Sequence, residues 1–328
     1  MIIREELYII AEAGVNHNGS LQTAFELIEA ACDAGADCIK FQAFSADELV
    51  IKKEESQYDM LSKLELSEED LYYISIYCKY KQIDFLVTPF STRWVRVLYY
   101  MGVNGFKISS GSITHLELLK EVGRTKLPVI LSTGMSNVDD IKKAVSALTD
   151  NGCVHLAILH CISLYPTPVD KINLFAMNVL KKEFFDIYVG LSDHTTDVSM
   201  GGLAVAAGAE IIEKHFTLDK DMEGPDHRMS LSPGELKIYI EEARRVEKIC
   251  GCEDKEMLPE EEKIKEMVRC SLVAKMFIPK RSYITEEMLT EKRPATGISP
   301  MDINNVVGKI TTKNIEKDEV LKYEYLSE

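Results

Sequence analysis

The first 250 residues alternate between short apolar runs and longer stretches of helical period. Eight apolar runs predict strands, at Leu7–Glu12, Cys38–Gln42, Asp84–Thr88, Gly105–Ile108, Pro128–Ser132, His155–Cys161, Ile187–Ser192 and Ile211–Thr217. Eight amphipathic stretches predict helices, at Leu21–Ala34, Glu68–Lys81, Thr92–Met101, Leu116–Gly123, Val138–Ala147, Asn173–Lys182, Met200–Ala207 and Pro233–Ile249. Apolar strands that alternate with helices indicate a parallel sheet covered on both faces. Eight such units predict an α/β fold of the (β/α)₈ TIM-barrel type.

A doubly wound open sheet is the alternative arrangement of such units. It usually has fewer strands than eight. In its dinucleotide-binding form, a Gly-x-Gly-x-x-Gly loop opens the first helix. The first strand here is followed by Gly14 and Gly19, which do not have that spacing. The pattern therefore favours the barrel.

The pattern changes after position 250. The stretch Gly251–Met267 predicts a solvated linker or a short helix, and its acidic residues include Glu253, Asp254, Glu256, Glu260, Glu261 and Glu262. Beyond it, we predict short strands at Ser271–Ala274 and Val320–Tyr323, and a short helix at Ile284–Leu289. We therefore expect a barrel over 1–250, an acidic linker over 251–267 and a small β-rich domain over 268–328.

Composition narrows the possible partners. The net charge is −15, which argues against binding to nucleic acid or to an anionic membrane. No apolar run reaches the roughly 18 residues of a membrane span. The eight cysteines are scattered, which favours reduced thiols and a cytoplasmic location. The charge is uneven, since residues 268–328 carry ten Lys and Arg against nine Asp and Glu.

Polar residues gather where the predicted strands end. They are Glu12, Asn16, His17, Lys40, Gln42, Thr88, Lys107, Ser110, Ser132, Thr133, His160, Ser163, Ser192, Asp193, His194 and His215. Chemistry in a barrel is located at this end. Lys40 and Lys107 lie inside apolar strands, where a buried ammonium needs an anionic partner or a lowered pKa. With the hydroxyls around them, they predict a locally positive cradle for a phosphate and a carboxylate.

Two histidines end neighbouring strands of the predicted barrel. His194 and His215 follow the seventh and eighth strands, so two imidazoles can share one divalent metal ion and leave positions for water and substrate. Each histidine alone would more often be a structural residue. Asp193 and Glu213 are candidates to orient the two rings.

The motifs at these strand ends resemble one family. They are Ala-Glu12-Ala-Gly-Val-Asn16-His17-Asn-Gly, Ile-Lys40-Phe-Gln42, Thr88-Pro-Phe, Phe-Lys107-Ile-Ser-Ser110-Gly, Leu-Ser132-Thr-Gly-Met, His160-Cys, Tyr165-Pro-Thr-Pro, Gly-Leu-Ser192-Asp-His194-Thr, Glu-Lys-His215-Phe-Thr and Gly-Pro-Asp226-His. Together, in this order, they are similar to the bacterial sialic acid synthases. The C-terminal segment, with Lys292-Arg293-Pro and Gly297-Ile-Ser-Pro, resembles the SAF (antifreeze-like) domain of these enzymes.

The resemblance implies an enzyme that condenses phosphoenolpyruvate with an N-acylated mannosamine-type sugar. The products would be a nine-carbon 2-keto-3-deoxy acid, of the N-acetylneuraminate or legionaminate type, and phosphate released by C–O cleavage. The family uses Mn²⁺, or Mg²⁺ or Co²⁺ in its place. It forms a swapped homodimer in which the SAF domain of one subunit closes the barrel of the other.

The resemblance also assigns residues. It implies that His194 and His215 hold the metal and that Glu12, Lys40 and Lys107 take part in catalysis. For phosphoenolpyruvate the matching residues are Lys40, Thr88, Lys107, Ser110, Ser132, Ser163 and Ser192. For the sugar they are Asn16, Gln42, Tyr165, Asp226 and Arg293.

Two positions depart from the family pattern. Ser112 stands at a catalytic position where the family has Glu, and a serine cannot act there as a general base without an activator. Ser163 stands where some members have Asn. The departure at Ser112 leaves open a second hypothesis, a weakly active or non-catalytic homologue that binds the sugar or phosphoenolpyruvate. A third is an aldolase that forms a Schiff base through a lysine.

Overall fold

The computed structural model describes residues 6–252 and 254–328, so Glu253 of the acidic stretch lies outside the described residues. The chain divides into two compact units, Met1–Gly251 and Cys252–Glu328. The division falls at the end of the predicted barrel. The segment expected as a linker belongs to the second unit.

The first unit is a closed barrel of eight parallel strands, as predicted. The strands are β1 (Tyr8–Gly14), β2 (Cys38–Ala43), β3 (Asp84–Pro89), β4 (Phe106–Ile108), β5 (Val129–Ser132), β6 (Leu156–Cys161), β7 (Tyr188–Asp193) and β8 (Ile211–His215). Each strand pairs with the next along the chain, and β8 pairs with β1 to close the barrel. In this register Glu12 lies opposite both Lys40 and His215.

Helices cover the outside of the barrel. They are α1 (Leu21–Ala34), α2 (Ala46–Leu49), α3 (Glu55–Ser62), α4 (Glu68–Lys81), α5 (Thr92–Met101), α6 (Leu116–Arg124), α7 (Val138–Thr149), α8 (Ala176–Glu183), α9 (Met200–Ala206) and α10 (Pro233–Cys250). The eight predicted helices are confirmed, while α2 and α3, in the long connection after β2, were not predicted. Within the described part of the chain, no helix is both long and apolar enough to cross a bilayer.

Local sequence explains where these helices begin and end. Ser67 and Asp70 form a reciprocal capping box at the start of α4, and Ser232 does the same with Glu235 at the start of α10. Gly35 ends α1 in the left-handed conformation, where its amide returns to the last turn. Sequence signals of this kind are local, which is why these boundaries were predictable.

The barrel interior changes from apolar to polar along the strands. Its apolar layer consists of Tyr8, Ile10, Cys38, Leu86, Ile130, Ala157, Leu159 and Ile211. The next inward positions toward the carboxyl ends are Glu12, Lys40, Thr88, Lys107, Ser132, Ser192 and Glu213, because side chains alternate along a strand. A larger apolar cluster fills the space between strands and helices. The apolar floor supports a polar layer that faces the barrel mouth.

The second unit has short helices and strands around its own small core. It contains α11 (Glu262–Val268) and two antiparallel pairs, β9 (Ser271–Ala274) with β10 (Leu289–Lys292) and β11 (Ile310–Thr311) with β12 (Leu326–Ser327). The predicted strand β9 is confirmed. The amide of Ala295 donates to the carbonyl of Glu266, so α11 is tied to this unit.

Two predictions in this unit were wrong. The segment predicted as the strand Val320–Tyr323 makes one bridge, from Val320 to Val273, and then turns into a 3₁₀ helix at Tyr323–Tyr325. The predicted helix at Ile284–Leu289 is a 3₁₀ turn, after which Leu289 begins β10. Both Ile284 and Leu289 are buried in the small core, so their spacing reflects packing and not helical period.

Candidate active site

A cavity of about 170 Å³ lies at the carboxyl ends of the barrel strands. Its lining residues are Glu12, Lys40, Gln42, Thr88, Lys107, Ser109, Ser110, Ser132, Cys161, Tyr165, Ser192, His194, Glu213, His215 and Asp226. Most of the site residues predicted in the barrel therefore meet in one place. The apolar floor of the barrel closes the cavity from below.

A buried cluster of two lysines and two glutamates forms the base of the cavity. The Nζ of Lys40 lies 3.3 Å from Oε1 of Glu12 and 3.2 Å from Oε2 of Glu213. The Nζ of Lys107 lies 3.1 Å from Oε1 of Glu213, which also accepts a hydrogen bond of 2.9 Å from Ser192. The lysines thus have the anionic partners that their burial requires. These carboxylates balance the positive cradle that the sequence predicted.

The two glutamates differ in proton affinity. Burial raises the pKa of Glu12, and the attraction of Lys40 does not offset this. Burial acts on Glu213 as well, but Lys107 and Lys40 together hold the pKa of Glu213 below its usual value. Glu213 is therefore the permanent counterion of the lysines. Glu12 is the carboxyl group of the cluster better suited to carry a proton.

The two lysines also differ in proton affinity. Burial lowers the pKa of Lys40, but the carboxylates of Glu12 and Glu213 outweigh burial and raise that pKa above its usual value. Burial also lowers the pKa of Lys107, and here Glu213 does not make up the loss. The attraction of Lys107 to an incoming anion would restore part of its affinity for the proton.

Hydroxyl groups line one wall of the cavity. Ser110 accepts a hydrogen bond of 2.9 Å from the amide of Gly134, and Lys40 donates to Thr88 over 3.4 Å. The buried Oγ atoms of Ser132 and Ser163 have no hydrogen-bond partner among the described residues. Buried hydroxyls without partners are costly unless a ligand satisfies them. Ser132 lines the cavity, so its hydroxyl is positioned to donate to the oxygens of an anion, while Ser163 lies beside Ser110.

The two predicted metal ligands lie side by side. The ring centroids of His194 and His215 are 5.5 Å apart. Nδ1 of His194 lies 2.8 Å from the carbonyl oxygen of Ile162, which assigns the proton to Nδ1 and leaves Nε2 as a ligand atom. Nδ1 of His215 is buried and has no hydrogen bond among the described residues. Burial and the neighbouring His194 lower the pKa of His215 well below its usual value, so its ring is neutral, the form that binds metal.

The donor set around these rings fits a divalent ion with open coordination positions. Oε2 of Glu12 is buried and has no hydrogen bond among the described residues, and Oδ2 of Asp226 lies 3.8 Å from Nδ1 of His215. Within the described parts of the chain, no group of three or more His, Cys, Asp and Glu side chains is placed to hold a metal ion. The two imidazoles, with the carboxylates beside them, are therefore the groups at this place that could hold such an ion.

Three of the predicted sugar-binding residues of the barrel, Gln42, Tyr165 and Asp226, line the cavity. The ring of Tyr165 lies over His194, with centroids 4.1 Å apart. The amide of Gln42 donates to Oε1 of Glu12 over 3.2 Å. Asp226 reaches the cavity from the loop after β8, residues 216–232, which we name the β8 loop. These three polar side chains thus line the same cavity as the serines.

Asn16 lies outside the cavity lining formed by the described residues. Its amide donates to the carbonyl of Phe216 over 2.7 Å and to Ser230 over 3.0 Å, while Ser230 donates to the carbonyl of Asp226. Asn16 therefore ties the turn after β1 to the β8 loop. The sugar contact expected for Asn16 stays a prediction, and the structure shows that its amide holds the loop carrying Asp226.

The two positions that depart from the family pattern also lie outside the lining formed by described residues. Ser112 is buried in a 3₁₀ turn, where it accepts a hydrogen bond of 3.0 Å from Ser109. Ser163 lies behind Gly134, close to Ser110. Arg293, the predicted contact to the sugar's acyl group, is exposed in the second unit.

Three lining residues were missed or assigned differently from the sequence. Ser109 and Cys161 were not predicted. The alternation of inward positions along β6 was the available signal for Cys161. Glu213 was expected to orient an imidazole ring, but it pairs with the two lysines. Asp193, expected to do the same, points out of the barrel and pairs with Lys214. Alternation along the strands places these two side chains on opposite faces.

Comparison with known proteins places this chain in a family. The model of the NeuB family matches residues 27–255, and that of the SAF domain matches residues 269–326. The chain is 44% identical to the N,N'-diacetyllegionaminic acid synthase of Campylobacter jejuni, over 96% of this chain and 98% of that protein. It is 40% identical to the protein of the same name from Legionella pneumophila, over 97% of this chain and 94% of that one.

A solved structure is also similar to this chain. The N-acetylneuraminic acid (sialic acid) synthetase of Leptospira borgpetersenii, crystallised with citrate, is 35% identical and superposes with a TM-score of 0.76. The match covers 79% of this chain and 90% of that one. The family model spans most of the barrel, and the relatives match along nearly the whole chain. This protein belongs to the NeuB family and carries the SAF domain at its C-terminal end.

Proposed function

We propose that the chain condenses phosphoenolpyruvate with an N-acylated mannosamine-type sugar and water, giving a nine-carbon 2-keto-3-deoxy acid and phosphate. One observation carries the proposal. The buried cluster of Lys40, Lys107 and Glu213 lines the same cavity as several serines and a pair of histidines. The relatives named above as synthases of sialic and legionaminic acids support the same reaction.

Phosphoenolpyruvate fits the serine side of the cavity. Lys40 and Lys107 would face its phosphate and carboxylate, whose mutual repulsion they offset. The unpartnered hydroxyl of Ser132, together with that of Ser110, would donate to the phosphate oxygens. Glu213 fixes the position of both lysines before the substrate arrives. The positive groups are thus pre-organised, and binding costs little rearrangement.

A divalent ion such as Mn²⁺, with Mg²⁺ or Co²⁺ as substitutes, would be held by His194 and His215. When bound, it supplies Lewis acidity toward the aldehyde oxygen of the open-chain sugar. Tyr165, stacked over His194, and Asp226, beside His215, would hold the sugar against this pair. The aldehyde carbon then lies near C3 of phosphoenolpyruvate, in an orientation suited to attack.

The buried cluster also supplies the group that transfers protons. A bond forms between C3 and the aldehyde carbon, so the aldehyde oxygen gains a proton and positive charge develops at C2. Water adds at C2 and gives up one proton. The C2–O bond to phosphate then breaks as phosphate leaves with the electron pair, and the hydroxyl left at C2 becomes the ketone by passing its proton to the departing phosphate. We assign the proton transfer to Glu12, since burial raises the pKa of its carboxyl group. Glu12 protonates the aldehyde oxygen, which becomes the new hydroxyl, and then accepts a proton from the added water.

Ser112 favours one alternative, a non-catalytic or weakly active binding protein. Its hydroxyl accepts a hydrogen bond from Ser109, so it is not placed to act as a base. Because we assign proton transfer to Glu12, we expect turnover with the native Ser112 and no gain in kcat from Ser112→Glu. A rise in kcat of tenfold or more would show that this position limits catalysis. Absence of any turnover would favour the binding protein.

The sugar itself has two candidates. N-acetylmannosamine would give N-acetylneuraminate, and 2,4-diacetamido-2,4,6-trideoxymannose would give the legionaminate-type acid. We propose the second, because the two relatives at 44% and 40% identity are both named N,N'-diacetyllegionaminic acid synthases. A panel of both sugars, with mass spectrometry of the product, decides between them. A higher kcat/KM with N-acetylmannosamine would reverse this choice.

We also propose a homodimer in which Arg293 of one subunit reaches the cavity of the other. Co-expression of Lys107→Met and Arg293→Ala chains tests this directly. Random pairing gives mixed dimers with one intact site each, so activity should recover to about one quarter of the wild-type value. Each variant expressed alone should be far less active. No recovery on mixing would place Arg293 at the cavity of its own subunit or at neither.

The test of the reaction is phosphate release by purified protein. We expect release only when phosphoenolpyruvate, the amino sugar and Mn²⁺ are all present, and loss of release in excess chelator. His215→Ala is the matched variant, since it removes one of the two proposed metal ligands. Full activity in chelator would contradict the metal role and leave the condensation itself standing. Phosphate release without the sugar would contradict the condensation.

A further inference from the structure

A second buried ion pair lies on the outside of the barrel, behind the two histidines. The Nζ of Lys214 lies 2.8 Å from Oδ2 of Asp193, and both side chains are at most 1% exposed. Lys214 also donates to the carbonyl of Thr195, whose amide donates to Oδ1 of Asp193 over 2.8 Å. The pair therefore contacts the residues on both sides of His194, and Lys214 itself precedes His215.

The pair lies apart from the cavity formed by the described residues. Asp193 and Lys214 are opposite each other in the register of β7 and β8, and both point away from the barrel interior. The aromatic ring of Tyr239, on α10, covers Lys214 at 5.6 Å. Such a pair is a weak source of stability, because removing two charges from water offsets most of their attraction. Its position suggests a different task.

We infer that Asp193 and Lys214 are positioning residues, which set the separation and orientation of His194 and His215. The pair joins the ends of β7 and β8 at the positions that precede the two histidines, and Lys214 holds the backbone of Thr195 on the far side. Two rings 5.5 Å apart on separate strands need such a link to keep one spacing. The inference rests on the proposed metal role of the histidines.

The test compares a single with a double substitution. Lys214→Met leaves Asp193 buried without its cation, so it should unfold more readily. The double variant Asp193→Leu with Lys214→Met replaces the pair by apolar side chains and should recover stability. If the pair positions the rings, the double variant should bind Mn²⁺ about tenfold more weakly than the unmodified protein, even though its stability has recovered. Lys214→Arg keeps the charge and should restore most of the affinity.

Mn²⁺ alone is the probe, titrated into full-length, substrate-free protein and followed by electron paramagnetic resonance. Arg244→Met is the matched control. Arg244 forms an ion pair with Asp37 and a hydrogen bond to the carbonyl of Leu7, at the opposite end of the barrel. The Arg244→Met variant should lose stability and keep its affinity for Mn²⁺. A double variant that binds Mn²⁺ as tightly as the unmodified protein would overturn the inference.

Crystal structures of the metal-free proteins give a readout that does not depend on the proposed function. In the double variant we expect the separation of the two rings to differ from 5.5 Å by more than about 0.5 Å. A separation that stays within that margin would overturn the positioning role. If the unmodified protein fails to bind Mn²⁺, the metal assignment fails, and the ring separation still decides whether the pair positions the histidines.

Discussion

Replacing Lys40 by methionine tests the charge balance at the base of the cavity. The side chain keeps most of its length but loses its ammonium group, which lies 3.3 Å from Glu12 and 3.2 Å from Glu213. Each of these contacts corresponds to about 5 kcal/mol of Coulomb attraction at an effective dielectric constant of 20, before desolvation is subtracted. Removing one partner of a buried pair costs about 3–5 kcal/mol in measured cases. We expect the barrel to lose that much free energy of unfolding.

The loss should depend on pH. Without Lys40, the pKa of Glu12 in the folded state rises further above its unfolded value, because burial and the charge of Glu213 both favour the protonated form. A carboxyl group with a raised folded pKa contributes stability at low pH and loses that contribution as the pH rises through that pKa. The variant should therefore be less destabilised at pH 5 than at pH 8.

Fluorescence offers a probe of the barrel alone. Trp94 is the only tryptophan of the chain, and it is buried on α5. Urea unfolding followed by its emission at pH 5 and pH 8 gives the two free energies. Lys81→Met is the matched control, since its pair with Glu29 is partly exposed and its removal should cost far less free energy of unfolding. Equal losses for Lys40→Met at both pH values, or a loss no larger than the control, would refute the reasoning.

Two further substitutions test the walls of the cavity. A methyl group at Gly134 would lie 2.2 Å from the Oγ of Ser163 and 2.9 Å from that of Ser110, so Gly134→Ala should raise the KM for phosphoenolpyruvate about tenfold. Gly111→Ala, where the added methyl meets nothing within 4 Å, should leave it unchanged, and equal effects in both would argue against the serine wall. Asn16→Ala removes two buried hydrogen bonds to the β8 loop. Steady-state kinetics should therefore show a higher KM for the sugar and an unchanged KM for phosphoenolpyruvate. An unchanged KM for the sugar would contradict the role of the loop.

The barrel was predictable because its signals are local and repeated. Apolar strands and amphipathic helices recur eight times, several of the helices begin at caps such as Ser67 and Ser232, and polar residues follow the strands at one end. The helices α2 and α3 were missed because they are short and polar within a long connection. The second unit was harder, since its strands have two to four residues and its core decides where Ile284 and Leu289 lie.

The composition of the site was predictable, and its pairing was not. Strand-end positions identified Lys40, Lys107 and the histidines, because barrel topology brings such positions together. Which carboxylate meets which lysine depends on contacts between distant strands, such as Glu213 with Lys107. The orientation of Asn16 likewise depends on a loop some 200 positions later in the chain. The sequence therefore predicted a positively charged cradle, whereas the structure shows lysines whose charges are balanced by buried carboxylates.

The central claim is that phosphate leaves by cleavage of the C2–O bond of phosphoenolpyruvate. The most direct measurement uses phosphoenolpyruvate labelled with ¹⁸O at the oxygen between C2 and phosphorus, incubated with the protein, Mn²⁺ and the amino sugar. Mass spectrometry of the products should show the label in the released phosphate, together with a new nine-carbon acid. Unlabelled phosphate, or phosphate formed without that acid, would contradict the proposed reaction.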